Sequence, residues 1–400
     1  MKFVSKNKNM KIAIIGGGIG GLTTAIALQR KGFTDITVYE AAPEIQNIGA
    51  GILLASNAMT IFERLNIAEQ IKAEGNVLES VCIANHQGEV LSKVDFTKII
   101  KRFGNGTVSI HRGKLQQILL ENLNKNTVTV GKRLKSIGNT EGGRNPDSFR
   151  KEAKTQLFFE DETTAEADIV IGADGIHSPV RKHLFGEIPV RYSGQTCWRG
   201  IAKMQIDNPK ASVEMWGTRG GLRACVSQVS ETEVYWYITM KHAEGLKLSE
   251  METKPYLLNL ISEFNSPIQK GVQLTDNQHI LHNDLSDFKP IKTWYKDNIL
   301  LVGDAAHATT PNLGQGACQA IEDAFALANC LKDTPSVKDA FLNFENARIK
   351  KATFVVNTSY LIGQLSNIGG FIGYRLRNTL MKIAPTAIAE KQFDYLFTIQ

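Results

Sequence analysis

The stretch that decides the fold is Lys11-Ile12-Ala13-Ile14-Ile15-Gly16-Gly17-Gly18-Ile19-Gly20-Gly21-Leu22, and it runs on to Tyr39-Glu40. A short apolar run enters a glycine turn. Leu22–Arg30 then carries Leu22, Ala25, Ile26 and Leu28 as a helical stripe, and Asp35–Glu40 returns as a strand. The helix is the crossover of a right-handed βαβ unit, which implies a parallel sheet. The turn matches G-x-G-x-x-G. Gly16 permits the tight turn, Gly18 lets a pyrophosphate approach the backbone, and Gly21 allows the helix to pack on the strand. Ile19 and Gly20 open the helix, whose first amides face the phosphates. Glu40, 19 residues after Gly21, is placed to accept ribose hydroxyls. A dinucleotide site follows, without a choice between NAD and FAD.

Outward from this unit, the chain has 400 residues, 42% of them hydrophobic and 22% charged. These proportions exclude a disordered or collagen-like chain, and the length suffices for a large core without disulfides or a structural metal. The 46 basic and 40 acidic residues leave a net charge of +6, with no block of like charge. No nucleic-acid tail is read. The five cysteines are odd in number and lack C-x-x-C spacing, which points to a reducing, cytoplasmic setting. The lysine-rich start precedes too short an apolar run for a secretory signal, and no run is long enough to span a membrane. The eight histidines show no metal-binding spacing, so no metal is expected.

Residues 57–72 read as one helix and Val77–Val90 as extended segments turning at Gln87-Gly88. A helix follows Arg112, with Leu115, Ile118, Leu119 and Leu123 on one face, and 139–154 reads as an exposed loop. From about 190 to 290 short β-type runs replace the α/β pattern, which resumes with the strand Asn298–Val302 and a helix from about Gly316 to Cys330. The last 55 residues are mostly helical, broken at Gly369-Gly370. The fold class is therefore α/β: a Rossmann-like nucleotide domain interrupted by an antiparallel β-sheet substrate domain, with C-terminal helices. The expected division gives the nucleotide domain 10–75, 101–188 and 291–345, the substrate domain 76–100 and 189–290, and the helices 346–400.

Two further segments end apolar strands in an aspartate–glycine pair. Ile169-Val170-Ile171-Gly172-Ala173-Asp174-Gly175 is one and Leu300-Leu301-Val302-Gly303-Asp304-Ala305-Ala306-His307 the other. Both lie at carboxyl ends of strands, where open α/β sheets bind their ligands. In the next turn, Pro311-Asn312-Leu313-Gly314-Gln315-Gly316-Ala317, Pro311 stiffens the loop while Gly314 and Gly316 remove side chains where a flat ring would meet backbone.

With these three motifs in order, the sequence resembles the single-component (class A) FAD-dependent monooxygenases of the p-hydroxybenzoate hydroxylase fold, a group with salicylate hydroxylase-, urate hydroxylase- and zeaxanthin epoxidase-like members. The resemblance covers about residues 10–350. It implies that Gly16, Gly18, Ile19, Gly20 and Gly21 hold the FAD pyrophosphate and Glu40 the adenosine ribose. Gly51, Arg112, Asp174, Gly303, Asp304, Pro311, Gly314, Gly316 and Ala317 complete the FAD-contacting set, with Asp174 and Gly175 linked also to the nicotinamide cofactor. The helix after Gly316 would aim its positive end at the pyrimidine edge of the flavin. His307 is read as structural. The implied chemistry is reduction by NADPH or NADH, reaction with O₂ to a flavin hydroperoxide, and hydroxylation of a small, aromatic or heteroaromatic substrate.

Catalytic residues are not assigned by these motifs. Period-2 alternation groups Arg223, Cys225 and Ser227 on one strand face and Trp236, Ile238 and Met240 on another. Arg199, Arg223, Trp236 and Pro311 are the substrate-pocket candidates. Epoxidation of a polyene, a flavin oxidase or reductase without oxygen insertion, and a non-enzymatic FAD-binding relative stand as alternatives. A halogenase is disfavoured because Tyr235-Trp236-Tyr237-Ile238 does not match W-x-W-x-I-P. The substrate, the choice of nucleotide and the oligomeric state are left open.

Overall fold

A computed structural model describes residues 10–45, 50–139, 154–383 and 386–399. The strand Ile12–Ile15 pairs in parallel with Ile36–Tyr39 on one side and Ile169–Gly172 on the other, and Ile299–Leu301 extends the parallel set. Val128–Thr129 and the antiparallel Tyr295–Lys296 form the edges of this six-stranded sheet. Its central strands are continuously buried, as they must be with helices on both faces. The helix Ile19–Arg30 starts three residues before the expected Leu22. Ala25, Ile26, Ala27 and Leu28 are all fully buried, because the helix Gly316–Asp333 covers the side the sheet does not.

The segment expected as one helix over 57–72 is two, Ser56–Arg64 and Ala68–Glu74. The break is at Asn66, whose φ of 61° leaves the helical region. The residue pairings Gln87-Gly88 mark do form a hairpin turn, with Gly88 at φ 87°. Of the expected loop over 139–154, residues 140–153 lie outside the described residues.

The second large sheet has seven strands, ordered Leu281–Asp287, Arg191–Lys203, Glu233–Lys241, Arg223–Gln228, Ala211–Trp216, Ser80–Asn85, Val90–Asp95. It is antiparallel except where Ala211–Trp216 runs parallel to Ser80–Asn85, so the purely antiparallel expectation is corrected at that one pair. Its register sorts the side chains. Arg223 faces Thr239, Cys225 faces Tyr237 and Glu214 faces Cys225 as direct partners, so Glu214, Arg223, Cys225 and Tyr237 share one face. Trp198, Trp236, Ile238 and Ala224 occupy the other. There they form a core with Leu257, Leu260 and Val272 from the helices Glu250–Leu260 and Ile268–Leu274.

This placement corrects Trp236 as a pocket residue. It is fully buried on the helix side, its indole donates to Thr275 Oγ1 at 2.8 Å, and Gly200 and Gly271 are small because the ring lies against them.

The C-terminal helices Val337–Ser366, Gly370–Ile383 and Thr386–Phe397 follow. The break between the first two has a packing cause: a Cβ on Gly369 would lie 2.2 Å from the Gly220 amide nitrogen, and Gly370 takes φ 77°. Among the described residues no helix is long and apolar enough to cross a membrane.

Candidate active site

The glycine turn is built as its spacing dictates. Gly16 has φ 109°, and a Cβ there would stand 2.4 Å from the Ala173 carbonyl oxygen, while one on Gly21 would stand 2.0 Å from Gly16 O. Gly18 differs: a Cβ on it would meet nothing within 4 Å. Gly16 and Gly21 therefore serve the packing of strand and helix, and Gly18 serves the space beyond. Gly20 packs on Ala320 of the Gly316–Asp333 helix. Glu40 accepts the Gly17 amide at 2.7 Å and the Ala42 amide at 2.8 Å. Together with Gly17, Gly18 and Gln116 it lines a cleft of about 290 Å³ at the helix N-terminus. A cradle of backbone amides ending in a carboxylate suits a pyrophosphate and an adjoining ribose.

Farther along the carboxyl ends of the strands, Asp304 and Arg112 are open to solvent and Arg199 is half-buried, and the three are close enough for their charges to act on one another. Crowding by protein atoms raises the Asp304 carboxyl above its ordinary value, against the pull of His307 and Arg112. Crowding and then the neighbouring Arg199 lower the Arg112 guanidinium, which Asp304 partly restores. Arg112 is the first residue of the helix Arg112–Glu121, capped by His111 Nδ1 accepting the Gly113 amide at 3.0 Å. Arg199 donates from Nη2 to Asn283 Oδ1 at 2.7 Å, and its buried Nε finds no acceptor among the described residues. Gly51, beside Arg112, has a packing role of its own: a Cβ there would lie 2.4 Å from Tyr235.

Asp174 is committed locally. Its carboxylate accepts the Ser178 hydroxyl at 2.5 Å and the Val180 amide at 3.0 Å, holding the start of the helix Pro179–Phe185. Burial raises its carboxyl, with those hydrogen bonds and Arg181 opposing. Gly303 sits at φ 58° and donates its amide to Asp323 Oδ2 at 2.9 Å. The turn Pro311–Leu313 ends at Gly314, φ 65°, where a Cβ would again meet nothing within 4 Å. Gly316 and Ala317 then begin an 18-residue helix with no side-chain cap.

Among the described residues one side-chain hydrogen bond joins the sheet to this turn. Arg223, buried, donates from Nη2 to Asn312 Oδ1 at 2.5 Å and from Nε to Thr239 Oγ1 at 3.1 Å. Glu214 lies 3.6 Å from Arg223 Nη1 and accepts hydrogen bonds from the Trp216 indole and the Tyr237 hydroxyl. Burial, and next the Glu214 charge, push the Tyr237 phenol well above its ordinary value. Sequence patterns give Glu214, Tyr237 and Asn312 no role at the site. The alternation Tyr235-Trp236-Tyr237 holds the signal, but it does not say which of the two faces looks toward the nucleotide domain. Burial pushes the thiol of Cys197 up to about 11 and those of Cys225 and Cys318 up to about 12, so none is a thiolate nucleophile at neutral pH.

Behind the Gly303-Asp304 turn lies a buried ionic chain. His307 Nε2 is 2.6 Å from Asp323 Oδ2, Arg348 Nε is 2.8 Å from Asp323 Oδ1, and Arg348 and Lys351 both reach Glu322. Asn57 donates to Glu322 at 2.6 Å and to Gln315 Oε1 at 3.0 Å, which ties the chain to the N-terminus of the Gly316–Asp333 helix. His307 is thus a structural residue of the turn.

Comparison with known proteins agrees with this geometry. Residues 9–336 match the family described as FAD binding domain. Aurachin C monooxygenase/isomerase of Stigmatella aurantiaca is 34% identical over 94% of this chain and 94% of its own. The 2-heptyl-3-hydroxy-4(1H)-quinolone synthase of Pseudomonas aeruginosa is 32% identical over 97% of this chain and 98% of its own. Among solved structures, HpxO of Klebsiella pneumoniae complexed with FAD and uric acid superposes with a TM-score of 0.86 at 25% identity, covering 97% of this chain and 96% of that one. The glycine cradle, the Asp304–Arg112 pair and the uncapped helix all fit FAD. The chain belongs to the FAD binding domain family and is an FAD-dependent, NAD(P)H-using monooxygenase of the p-hydroxybenzoate hydroxylase fold.

Proposed function

We propose that the enzyme hydroxylates a small, uncharged aromatic or heteroaromatic ring, using O₂, in the space between the sheet face bearing Glu214 and Tyr237 and the turn Thr310–Gly314. The observation that carries this is the Arg223–Asn312 hydrogen bond, which sets the sheet face against the turn. FAD, when bound, supplies reduction by NAD(P)H and the activation of O₂. Gly16, Gly18, Ile19, Gly20, Gly21 and Glu40 would hold its adenosine diphosphate, and Arg112, Gly303 and Asp304 the ribityl side. Gly314, Gly316 and Ala317 would meet the ring, with Pro311 beside the substrate.

The substrate end is read from charge. Arg223 already has Glu214, Asn312 and Thr239 as partners, so it offers no free cation to a carboxylate. A ring bearing an N–H or O–H suits it better. Glu214 would accept that hydrogen, drawing proton density from the ring and making its carbon a better nucleophile toward an electrophilic oxygen, while Tyr237 holds the carboxylate in place. The sheet and the turn exclude water from the reacting ring. Relatives named for quinolone and urate chemistry carry N–H-bearing heterocycles in their names. The five free cysteines support a reducing, cytoplasmic setting, and the sequence has no block of like charge of the kind a nucleic-acid tail carries.

The test is steady-state and stopped-flow kinetics of Glu214→Gln with hydroxy- and oxo-substituted N-heterocycles. The expected result is a loss of hydroxylation of about a hundredfold with FAD content and melting temperature kept. Unchanged hydroxylation would remove Glu214 from the reaction.

A further inference from the structure

The wall made by the end of the Val337–Ser366 helix and by Gly370–Ile383 has two unlike faces. Its inner face touches the candidate substrate residues. Ser359 and Gly363 pack on Asn312, and the Ser359 carbonyl accepts the Asn312 amide at 3.2 Å. Gln195 donates to Ser366 Oγ at 2.9 Å, and Arg377 lies 4.9 Å from the Trp216 ring centre while donating to Gly217 O at 2.8 Å.

Its outer face is apolar and, among the described residues, unpartnered. Leu361 and Leu365 stand one turn apart on the first helix, and Ile372, Leu376, Leu380 and Ile383 follow i, i+4, i+8, i+11 on the second; these six are between 55 and 79% exposed. An exposed stripe of this length on a monomer marks a contact surface.

Charge selects the partner. Between Glu345 and Glu390 the sequence contains no Asp or Glu at all. Exposed cations flank the stripe: Lys350, Arg375 stacked 4.1 Å over Phe371, and Lys382, which also meets Glu89 at 2.5 Å. A stripe flanked mainly by cations, with Glu89 as an acidic neighbour paired to Lys382, suits an anionic lipid surface. The 14 residues of the second helix are about 21 Å long, too short for the ~30 Å core of a bilayer, so the helix would lie in the interface plane.

We propose that this face seats the enzyme on an anionic phospholipid surface. Seated so, only one helix thickness, about 10 Å, separates the lipid from Asn312 and Trp216, so that the wall bounds the substrate space on its lipid side.

The test is flotation of the purified FAD-loaded enzyme with vesicles of equimolar phosphatidylcholine and phosphatidylglycerol, beside vesicles of phosphatidylcholine alone. The parent is expected to float with the anionic vesicles and to be released by high salt. The double variant Ile372→Glu/Leu376→Glu is expected to bind them at least about tenfold more weakly, with FAD content and NAD(P)H oxidation unchanged. The proposal fails if the parent stays with the unbound protein, or if the double variant floats as well as the parent. It fails equally if light scattering shows a lipid-free dimer that the double variant dissociates, which would give the face to a second copy of the chain.

Discussion

Asp323 accepts His307 Nε2 at 2.6 Å with the same carboxylate oxygen that accepts the Gly303 amide at 2.9 Å. One oxygen on the Gly316–Asp333 helix thereby fixes both ends of the turn that carries Asp304. Burial alone would raise the Asp323 carboxyl, but His307 and Arg348 outweigh it and hold it well below the usual carboxylate range.

Asp323→Asn therefore should loosen the Gly303-Asp304 turn and leave Arg348 with less compensation. The expected cost is about 3 kcal/mol, as for breaking a buried ion pair. The sign of its pH dependence follows from the depressed carboxyl. The stability Asp323 contributes is complete above its ordinary value of 3.8 and is lost as pH falls further. Thermal melts of parent and variant should be far apart at pH 7 and converge below about pH 4. A constant gap would contradict the pairing.

The glycine turn separates folding from binding. Gly18→Ala adds a methyl that meets nothing within 4 Å, so the apoprotein should melt with the parent while FAD binds at least about tenfold more weakly. Gly21→Ala drives a methyl to 2.0 Å from Gly16 O and should destabilise the apoprotein itself. Melting curves with and without FAD, read beside flavin-fluorescence titrations, distinguish the two effects. Equal destabilisation by both substitutions would contradict the division of roles.

Asp304→Asn should act oppositely on stability and on cofactor. Crowding by protein atoms raises the Asp304 carboxyl, and because its surface still meets solvent its ionised form opposes folding only weakly. That cost is absent well below 3.8, grows as pH rises through the ordinary value, and is complete above the raised one. The variant apoprotein should melt above the parent at pH 8, with the gain shrinking toward acid, and should hold FAD more weakly. An apoprotein that melts lower at pH 8 would contradict the assignment.

The two faces of one strand should separate as cleanly. Trp236→Phe removes the indole hydrogen bond to Thr275 in the helix-side core, and about 1–2 kcal/mol of stability should go with it while KM for substrate stays. Tyr237→Phe removes the hydroxyl from Glu214 and should lower kcat/KM for hydroxylation with little change in melting. Urea melts and kinetics on both variants check the pair.

Much of the nucleotide half was legible because its signals are local. Ile12–Ile15, the glycine turn and the following helix are constrained by neighbours in sequence, and the strands ending in Asp174 and Asp304 announce themselves by runs of apolar residues. The substrate sheet was legible only to a parity. Alternation shows that Tyr235 and Tyr237 face away from Trp236, yet which face meets the nucleotide domain is set by the helices Glu250–Leu260 and Ile268–Leu274, which arrive later in the chain. Alternation alone therefore puts Trp236 in the pocket and passes over Tyr237. Asn312 was hidden because its role depends on Arg223, 89 residues away, and Asp323 because it reads as one more polar residue in a helix that turns out to be almost wholly buried. The break at Asn66 leaves no mark in the sequence because the helical periodicity continues through it.

The most direct test of the account is turnover of the FAD-loaded enzyme under ¹⁸O₂ with NADPH or NADH and a panel of hydroxy- and oxo-substituted N-heterocycles, followed by mass spectrometry. One of these compounds is expected to gain one ¹⁸O atom for each nucleotide oxidised, and to lose that gain in Glu214→Gln. Oxidation of the nucleotide that yields hydrogen peroxide in equal amount with every compound, and no labelled product, would contradict it.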